Sequence, residues 1–247
     1  MKIAVISDIH GNMEALEAVL EDIKNNECDK IFALGDYAMA GPEPKRVVDF
    51  VINNKNNSKY IFIQGNTDLM IADYNDELAA MLQEKAPTMG FALQNDITLL
   101  SNEEKMFLKS LPIQKDIVED GIKILLVHGS PRKNNEDILP DTPISEVEKM
   151  ISGTSADLIL CGHTHIPCGF QTSTKQTVVN VGSVGRPFTP EPKACYLIIE
   201  IENGKYQLMH HFVNYNKEAA AAKLDKRNFF GSDKLAKTLL NPQQRHF

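Results

Sequence analysis

The sequence predicts an α/β protein in which two packed β-sheets are covered by helices on their outer faces. Two observations lead to this prediction. Short apolar runs alternate with segments of helical apolar spacing over the first 66 residues, which is typical of parallel strands joined by right-handed helical crossovers. The second half contains a long β-rich stretch with an Asn203-Gly204 turn, which adds hairpin strands and makes the sheets mixed.

The N-terminal elements follow from the apolar pattern. Each continuous apolar run indicates a strand buried on both faces, and the three runs span residues 3–6, 31–34 and 60–63. Between them, two groups of apolar residues at helical spacing predict helices: Leu16, Val19, Leu20 and Ile23, then Val47, Val48, Val51 and Ile52. Asn12 is placed to act as the N-cap of the first helix.

The remaining elements are predicted in chain order. Residues 69–111 have a helical pattern with breaks at Pro87 and Gly90. Beyond them a loop is expected at 131–143, and strands are expected at 113–118, 122–127 and 158–161 and within 177–215. Short helices are expected at 219–224 and 234–240. We therefore predict one domain, residues 1–216, on which residues 217–247 pack as a helical appendage rather than as a separate domain.

Composition and charge exclude several classes of protein. The chain has 247 residues, 43% of them apolar, which is enough for a substantial core. Its formal net charge is −7 and it has no basic block, so a broad nucleic-acid-binding surface is not expected. No apolar stretch approaches membrane-spanning length, and the four cysteines form no CxxC pair. We expect a cytoplasmic protein with reduced thiols, and a homo-oligomer is compatible with these data.

Candidate ligands for metal ions directly follow five of the predicted strands. The carboxyl ends of strands in such a sheet line the crevice where ligands bind, and the glycines beside these residues let the chain turn sharply. We therefore expect seven side chains to converge at one edge of the fold: Asp8, His10, Asp36, Asn66, His128, His163 and His165.

Each of these short motifs alone is more often an ordinary turn than part of a site. The joint pattern is different, because four of the seven histidines lie at these strand ends and incidental placement does not predict such a concentration. The seven residues are therefore predicted to be metal ligands. Imidazole nitrogens with carboxylate and amide oxygens suit Mn, Fe, Co, Ni or Zn, and no thiolate selects a softer ion.

The charge of the predicted site indicates which kind of substrate it attracts. Two carboxylates, two divalent ions and a bridging hydroxide together leave about one net positive charge, which attracts a phosphoryl group despite the acidic protein. Two ions about 3.5–4 Å apart can also lower the pKa of bound water and stabilise charge on phosphoryl oxygens.

Six motifs in order resemble the calcineurin-like metallophosphoesterase family, and within it the compact bacterial and archaeal branch that is often phosphodiesterase-like. They span about residues 1–215 and read SDIHGN, GDYAMAGPEP, GNTD, HGSP, GHTHIP and NVGSVGRP. The resemblance implies a four-layer α/β/β/α sandwich of two mixed sheets flanked by helices, with residues 1–216 as the catalytic domain. It also implies two divalent transition-metal ions, for which we favour Mn or Fe.

The resemblance further implies how the ligands are divided between two ions. One ion is held by Asp8, His10 and His165, and the other by Asn66, His128 and His163. Asp36 is expected to bridge them, with a bridging hydroxide as the nucleophile. Catalytic roles are assigned to Asp36, Asn66 and His128.

One position departs from the family pattern. Many members have a histidine after the Gly-Asn pair that is thought to assist the leaving group, whereas this chain has Thr67. A hydroxyl cannot act as a general acid at neutral pH as an imidazole does. We therefore expect slow hydrolysis of esters with poor leaving groups, and we expect phosphodiesters to be favoured. Thr67 itself either contacts the substrate or caps the following helix.

Weaker candidates for substrate binding are Asn12, Thr67, Arg132 and Arg186. Either arginine could bind a phosphate through two parallel hydrogen bonds, or could pair with a carboxylate at the surface. Asn12 could orient the substrate or only cap a helix.

The leading hypothesis is a dinuclear metal-dependent phosphoesterase that cleaves P–O bonds of a small phosphate ester, with phosphodiesterase activity favoured. The first alternative is a phosphomonoesterase, including a protein phosphatase, although no motif encodes a protein-docking groove. The second is a non-catalytic protein-binding scaffold on the same fold, which the complete ligand set argues against. A single-metal redox or binding protein is also disfavoured, because a full second ligand set accompanies Asp36. No motif identifies the physiological substrate.

Overall fold

The computed structural model describes residues 1–242, so the end of the predicted appendage at 217–247 lies outside the described part. Ten strands are found in these residues: β1 (Lys2–Ile6), β2 (Lys30–Ala33), β3 (Tyr60–Phe62), β4 (Gln114–Glu119), β5 (Ile122–Val127), β6 (Leu158–Cys161), β7 (Cys168–Gln171), β8 (Thr177–Asn180), β9 (Ala194–Glu202) and β10 (Lys205–Val213).

The described residues also form nine helices. They are α1 (Met13–Asn25), α2 (Pro44–Asn54), α3 (Asn66–Ala72), α4 (Asp76–Lys85), α5 (Pro87–Leu99), α6 (Asn102–Ser110), α7 (Ile144–Met150), α8 (Lys217–Lys226) and α9 (Ser232–Leu240). Asn12 caps α1, since its Oδ1 accepts a hydrogen bond from the backbone N–H of Ala15 at 3.2 Å. No helix among these combines the length and apolar character needed to cross a membrane.

Two five-stranded sheets form the middle of the molecule. The first has the order β10-β9-β1-β2-β3, in which β1, β2 and β3 are parallel and β9 and β10 are antiparallel additions. The second has the order β4-β5-β6-β8-β7, with parallel β5, β6 and β8 between two antiparallel edge strands. The prediction of two mixed sheets flanked by helices is therefore confirmed.

The core is divided into layers by the two-residue period of the strands. Ile3 and Val5 belong to the apolar cluster between the two sheets, whereas Ala4 and Ile6 belong to the cluster beneath the outer helices. A third cluster lies on the far side of the second sheet, where Val147 of α7 packs. Burial on both faces explains why the first strands appear in the sequence as continuous apolar runs.

Three local features differ from the sequence prediction. Gly90 does not break a helix but lies inside α5, where an added Cβ would come within 2.7 Å of the backbone nitrogen of Gln83 in α4. Gly90 thus allows these two helices to pack closely. Helix α7 and strand β7 were not predicted, because α7 is seven residues long with one buried residue and β7 is a four-residue edge strand.

The C-terminal helices are attached to the rest of the fold through a buried ion pair. Arg227, which ends α8, pairs with Asp96 of α5, and both side chains are almost completely buried. Arg227 also donates from Nη1 to the carbonyl oxygen of Gly41 at 2.6 Å, while Asp96 accepts from the N–H of Ala40 at 2.9 Å. The pair therefore holds the loop between β2 and α2. The domain division at residue 216 stays a prediction.

We predict that Asp96→Ala lowers the free energy of unfolding by about 3–5 kcal/mol, because it leaves the Arg227 cation buried without its partner. Urea unfolding followed by circular dichroism measures this change. The matched control is Asp233→Ala on α9, whose pair with Lys237 is largely exposed and should contribute nothing measurable. Equal effects of the two substitutions would contradict the structural role of the Asp96–Arg227 pair.

Candidate metal centre

All seven predicted ligands lie where strands of the two sheets end. Asp8 and His10 follow β1, Asp36 follows β2, Asn66 is the first residue of α3 after β3, His128 follows β5, and His163 and His165 follow β6. The first sheet thus supplies four of these residues and the second sheet supplies three. The structure brings them together at one edge of the sandwich.

The backbone at this edge is strained. Five of the seven predicted ligands adopt left-handed φ angles, namely Asp8 (55°), His10 (46°), Asp36 (56°), His163 (67°) and His165 (61°). Such conformations cost about 1–3 kcal/mol for each residue and persist only where surrounding contacts impose them. Their concentration here indicates that the fold imposes the positions of these side chains.

Two glycines beside the ligands are required by close contacts. A Cβ on Gly65 would lie 2.1 Å from Oδ1 of Asp36, and a Cβ on Gly162 would lie 2.5 Å from Oδ2 of Asp8. No side chain fits at such distances. These contacts explain why the sequence places glycines next to the predicted ligands.

Each carboxylate is held by one oxygen and presents the other to the cluster. Oδ2 of Asp8 accepts the backbone N–H of His163 at 3.0 Å, and Oδ1 of Asp36 accepts the N–H of Thr67 at 2.9 Å. The second oxygen of Asp36 lies 3.3 Å from Nε2 of His128 and 3.6 Å from Nε2 of His10. Asp36 therefore lies between the two sets of ligands predicted from the sequence.

The first predicted set is compact. Oδ1 of Asp8 lies 3.2 Å from Nε2 of His165 and 3.9 Å from Nε2 of His10, and the two Nε2 atoms are 3.2 Å apart. Oδ1 of Asp8 also lies 3.9 Å from Nε2 of His128, so Asp8 contributes to a second group together with Asp36. Both groups are buried and have the spacing of metal ligands.

The second predicted set is more open. Oδ1 of Asn66 lies 3.1 Å from Nε2 of His128. The ring of His163 lies edge-on to that of His128, with centroids 5.3 Å apart, but its Nε2 contacts a carboxylate oxygen of Asp137 at 3.2 Å. This contact leaves Nδ1 as the ring nitrogen of His163 that could serve as a ligand. Asp137, which the sequence did not single out, thus orients a predicted ligand.

Three histidines share one orientation that suits metal binding. The Nδ1 atoms of His10, His128 and His165 lie 2.9, 2.7 and 2.6 Å from backbone carbonyl oxygens of Met39, Leu34 and Arg186. A carbonyl only accepts, so each Nδ1 carries a hydrogen and each Nε2 faces the cluster as the ring nitrogen that can bind an ion. Such a backbone contact is the usual partner of a metal-bound imidazole.

These residues fit divalent cations. Oδ1 of Asp8 is buried and has no hydrogen-bond partner among the described residues, and its neighbours are imidazole nitrogens with lone pairs. Lone pairs facing one another in a buried site need a positive charge between them. A proton on one histidine is one way to supply it, and a bound metal ion is the other.

The ionisation of the cluster agrees with this interpretation. Burial alone would raise the pKa of Asp36, but the neighbouring charge of His128 lowers it to about 2. Burial lowers the pKa of His10 to about 4, whereas the charges of Asp36 and Asp8 overcome burial at His128 and raise its pKa to about 10. Burial would also raise the pKa of Asp8, but the neighbouring histidines hold it below its usual range. Both carboxylates are therefore ionised at neutral pH, and His128 holds a proton that an ion would displace.

Asp68 positions the bridging candidate, a role that the sequence analysis missed. Its carboxylate accepts the backbone N–H groups of Asp36, Tyr37 and Gly65 at 2.8, 2.9 and 2.9 Å. Asp68 is fully buried, and burial and the charge of Asp36 raise its pKa to about 7. Its place in the Gly65-Asn66-Thr67-Asp68 motif was the only available signal.

The predicted substrate-binding residues divide into two groups. Thr67 and Arg186 line a cavity of 140 Å³ together with His10, Asp36, Asn66, His163 and His165. Arg132 does not line this cavity. Its guanidinium pairs with Glu136 through Nε and Nη2, and it borders a separate polar depression. Asn12 is fully buried and donates a hydrogen bond to the carbonyl oxygen of Gly185, so it holds a loop of the site and does not line the cavity.

Thr67 and Arg186 are the two predicted substrate-binding residues that line this cavity, and neither side chain pairs with a carboxylate among the described residues. Thr67 is not the N-cap of α3, because Gly65 holds that position, and its buried hydroxyl has no hydrogen-bond partner among the described residues. Burial lowers the pKa of Arg186 to about 10, so it stays charged at neutral pH. In the part of the chain that the structure describes, no carboxylate forms an ion pair with it.

Comparisons with known proteins agree with the geometry. Residues 1–204 match the calcineurin-like phosphoesterase superfamily domain. The chain is 31% identical over 248 residues to an uncharacterized protein of Methanocaldococcus jannaschii, with 91% of this chain and 92% of that protein covered. A hypothetical protein of Pyrococcus horikoshii has a similar crystal structure, with 26% identity, a TM-score of 0.85 and 99% of both chains covered. A metallophosphoesterase of Sphaerobacter thermophilus is also 26% identical, with a TM-score of 0.76 and 97% and 98% covered.

We predict that Mn²⁺ raises the melting temperature of the metal-free protein and that Asp8→Asn abolishes most of this rise, because Asp8 contributes to both groups of candidate ligands. Binding at one hundred times Kd should add about 2.7 kcal/mol of stability for each site. Differential scanning fluorimetry with and without Mn²⁺ measures the shift. Asp116→Asn, an exposed carboxylate on β4, is the control and should respond like the wild type. An undiminished shift in Asp8→Asn would place the ions elsewhere.

Proposed function

Because the chain belongs to the calcineurin-like phosphoesterase superfamily, we propose that it is a dinuclear metal-dependent phosphodiesterase that acts on a small phosphate ester. The observation that carries the proposal is the convergence of three imidazole Nε2 atoms and two carboxylates in one buried cluster. Two divalent ions there, for which we favour Mn or Fe, would activate water and neutralise charge on phosphoryl oxygens.

The remaining residues of the cavity suit an anionic ester. Arg186 is a partly buried cation without a carboxylate partner among the described residues, so its guanidinium can form charge-assisted hydrogen bonds to a phosphate. His128 lies beside both Asp36 and Asn66, and these residues would hold the second ion. Cations and hydrogen-bond donors thus face the place where phosphoryl charge would develop.

Thr67 supports a diesterase rather than a monoesterase. It occupies the position where many family members have histidine, and it lines the cavity. Without a general acid of suitable pKa, the leaving group must depart as an anion, which favours esters of acidic alcohols.

Phosphomonoesterase activity, including that of a protein phosphatase, is the alternative. A protein-binding scaffold would not require the complete ligand cluster. The predicted cytoplasmic location stays a prediction.

A substrate panel tests the proposal directly. We expect the Mn²⁺-loaded protein to hydrolyse a bis-aryl phosphodiester with a higher kcat/KM than the corresponding aryl monoester, cyclic nucleotides or nucleoside diphosphates. Asp36→Asn should lose activity toward every ester, because it removes the carboxylate between the two ligand sets. Activity that survives in Asp36→Asn would exclude the bridging-carboxylate mechanism. A preference for the monoester would favour the alternative function.

The two arginines provide a matched comparison within the same panel. Arg186→Gln is expected to lower kcat/KM at least about tenfold, because a charge-assisted hydrogen bond to phosphate contributes about 1.5–3 kcal/mol. Arg132→Gln should leave kcat/KM unchanged, since Arg132 pairs with Glu136 outside the cavity. The reverse order of effects would contradict the assignment of Arg186.

We predict that Thr67→His increases kcat for monoesters with poor leaving groups by about tenfold or more, since a positioned general acid contributes about 10²–10⁴-fold. Activity toward esters with good leaving groups should change little, because these need no proton. Steady-state kinetics over a series of leaving groups measures both effects. Thr67→Asn is the control, because it adds a polar group that cannot transfer a proton. If both variants behave like the wild type, the missing histidine does not limit the reaction.

A further inference from the structure

A second, larger cavity lies beside the candidate metal centre. Its volume is 840 Å³, within the range of about 300–1,000 Å³ that is usual for small-molecule sites. Most of its lining is apolar, and the apolar side chains include Leu139, Ile166, Pro167, Phe188 and Phe212. Neither the metal ligands nor the phosphate-binding arginine line it. The cavity is therefore a separate feature that the proposed chemistry does not explain.

The two cavities adjoin at Phe188, which lines both of them. Its ring stacks on the imidazole of His165, with centroids 4.9 Å apart and an angle of 17° between the planes. Ile166 directly follows His165 in the chain and lines the larger cavity. A group attached to a phosphorus atom at the metal centre can therefore extend past Phe188 into the larger cavity.

The difference in volume indicates what occupies each space. The cavity at the metal centre measures 140 Å³, whereas the larger one measures 840 Å³. A phosphoryl group beside two ions fills the smaller space, so the rest of a substrate must lie outside it. The 840 Å³ cavity is the adjoining space of suitable size.

The charge at the larger cavity selects against anions. Asp141, Glu191 and Lys193 are the ionisable residues that line it. Lys193 pairs with Glu191 at 2.5 Å, and no ion pair of Asp141 is found among the described residues. The lining thus carries one net negative charge at neutral pH, which disfavours a second phosphate or a carboxylate. Two phenylalanine rings and three prolines instead offer flat apolar surfaces to a ring.

We propose that the larger cavity binds an uncharged aromatic substituent of the phosphate ester, so that the substrate is an aryl or comparably aromatic phosphoester rather than a charged or purely aliphatic one. This inference rests on the proposed function, because it places the phosphoryl group at the metal centre. Phe212, which is 50% exposed on β10, lines this cavity and is not one of the predicted ligands.

Isothermal titration calorimetry with phosphonates tests the proposal, because their P–C bond cannot be hydrolysed. We expect phenylphosphonate to bind the Mn²⁺-loaded protein about tenfold more tightly than methylphosphonate, from burial and ring contact. Phe212→Ala should remove most of this difference. Met209→Ala is the matched control, because Met209 is exposed on the same strand but on its opposite face and does not line the cavity. If Phe212→Ala does not fold, Phe212→Leu should still reduce the preference.

The possible results distinguish a failure of the aromatic subsite from a failure of the proposed phosphoesterase function. If phenylphosphonate and methylphosphonate bind equally, or Phe212→Ala preserves the preference, the aromatic subsite is excluded while the phosphoesterase stands. If hexylphosphonate binds as tightly as phenylphosphonate, the cavity is not selective for aromatic groups and the proposal is overturned. If neither phosphonate binds the loaded protein, the proposed function itself fails. Weaker binding of 4-carboxyphenylphosphonate, with recovery in Asp141→Asn, would support the charge argument.

Discussion

The left-handed backbone at the strand ends is the constraint on which the candidate site depends. Asp8, His10, Asp36, His163 and His165 each adopt a conformation that an isolated chain avoids, and the two sheets hold them there. Their strain is offset by contacts between loops, for example the N–H of His163 that binds the Asp8 carboxylate from the opposite sheet. The positions of the predicted ligands are therefore set by the packed sheets and the contacts between their loops.

The same loops are joined to one another by main-chain contacts. The backbone N–H of His10 donates to the carbonyl oxygen of Asp36, and that of Gly185 donates to the carbonyl oxygen of Asp8. Asn12 completes this arrangement, because its side chain both caps α1 and binds the carbonyl oxygen of Gly185. A displacement of one loop would thus be transmitted to ligands of both predicted ions. Such coupling suits chemistry that needs several charges at fixed distances.

The sequence predicted the parts of the fold and site that leave a local pattern. Continuous apolar runs identified the central strands, and polar residues at their ends identified the side chains that converge in the candidate site, because burial and strand direction act over a few residues. It did not distinguish Arg186 from Arg132, since that difference depends on Glu136 and on which loop reaches the cavity. Asp137 and Phe188 gave no signal either, because their roles arise only from contacts between distant segments.

The buried pair of Arg227 and Asp96 has a consequence for the order in which the molecule is completed. The pair holds Ala40 and Gly41, and the adjacent carbonyl of Met39 fixes the ring of His10. During synthesis from the N-terminus, all seven predicted ligands emerge before Arg227. A nascent chain that ends before this residue carries all seven predicted ligands but lacks the ion pair that holds the loop of Met39, Ala40 and Gly41. The C-terminal segment therefore stabilises a loop of the candidate site, although none of the seven predicted ligands lies in it.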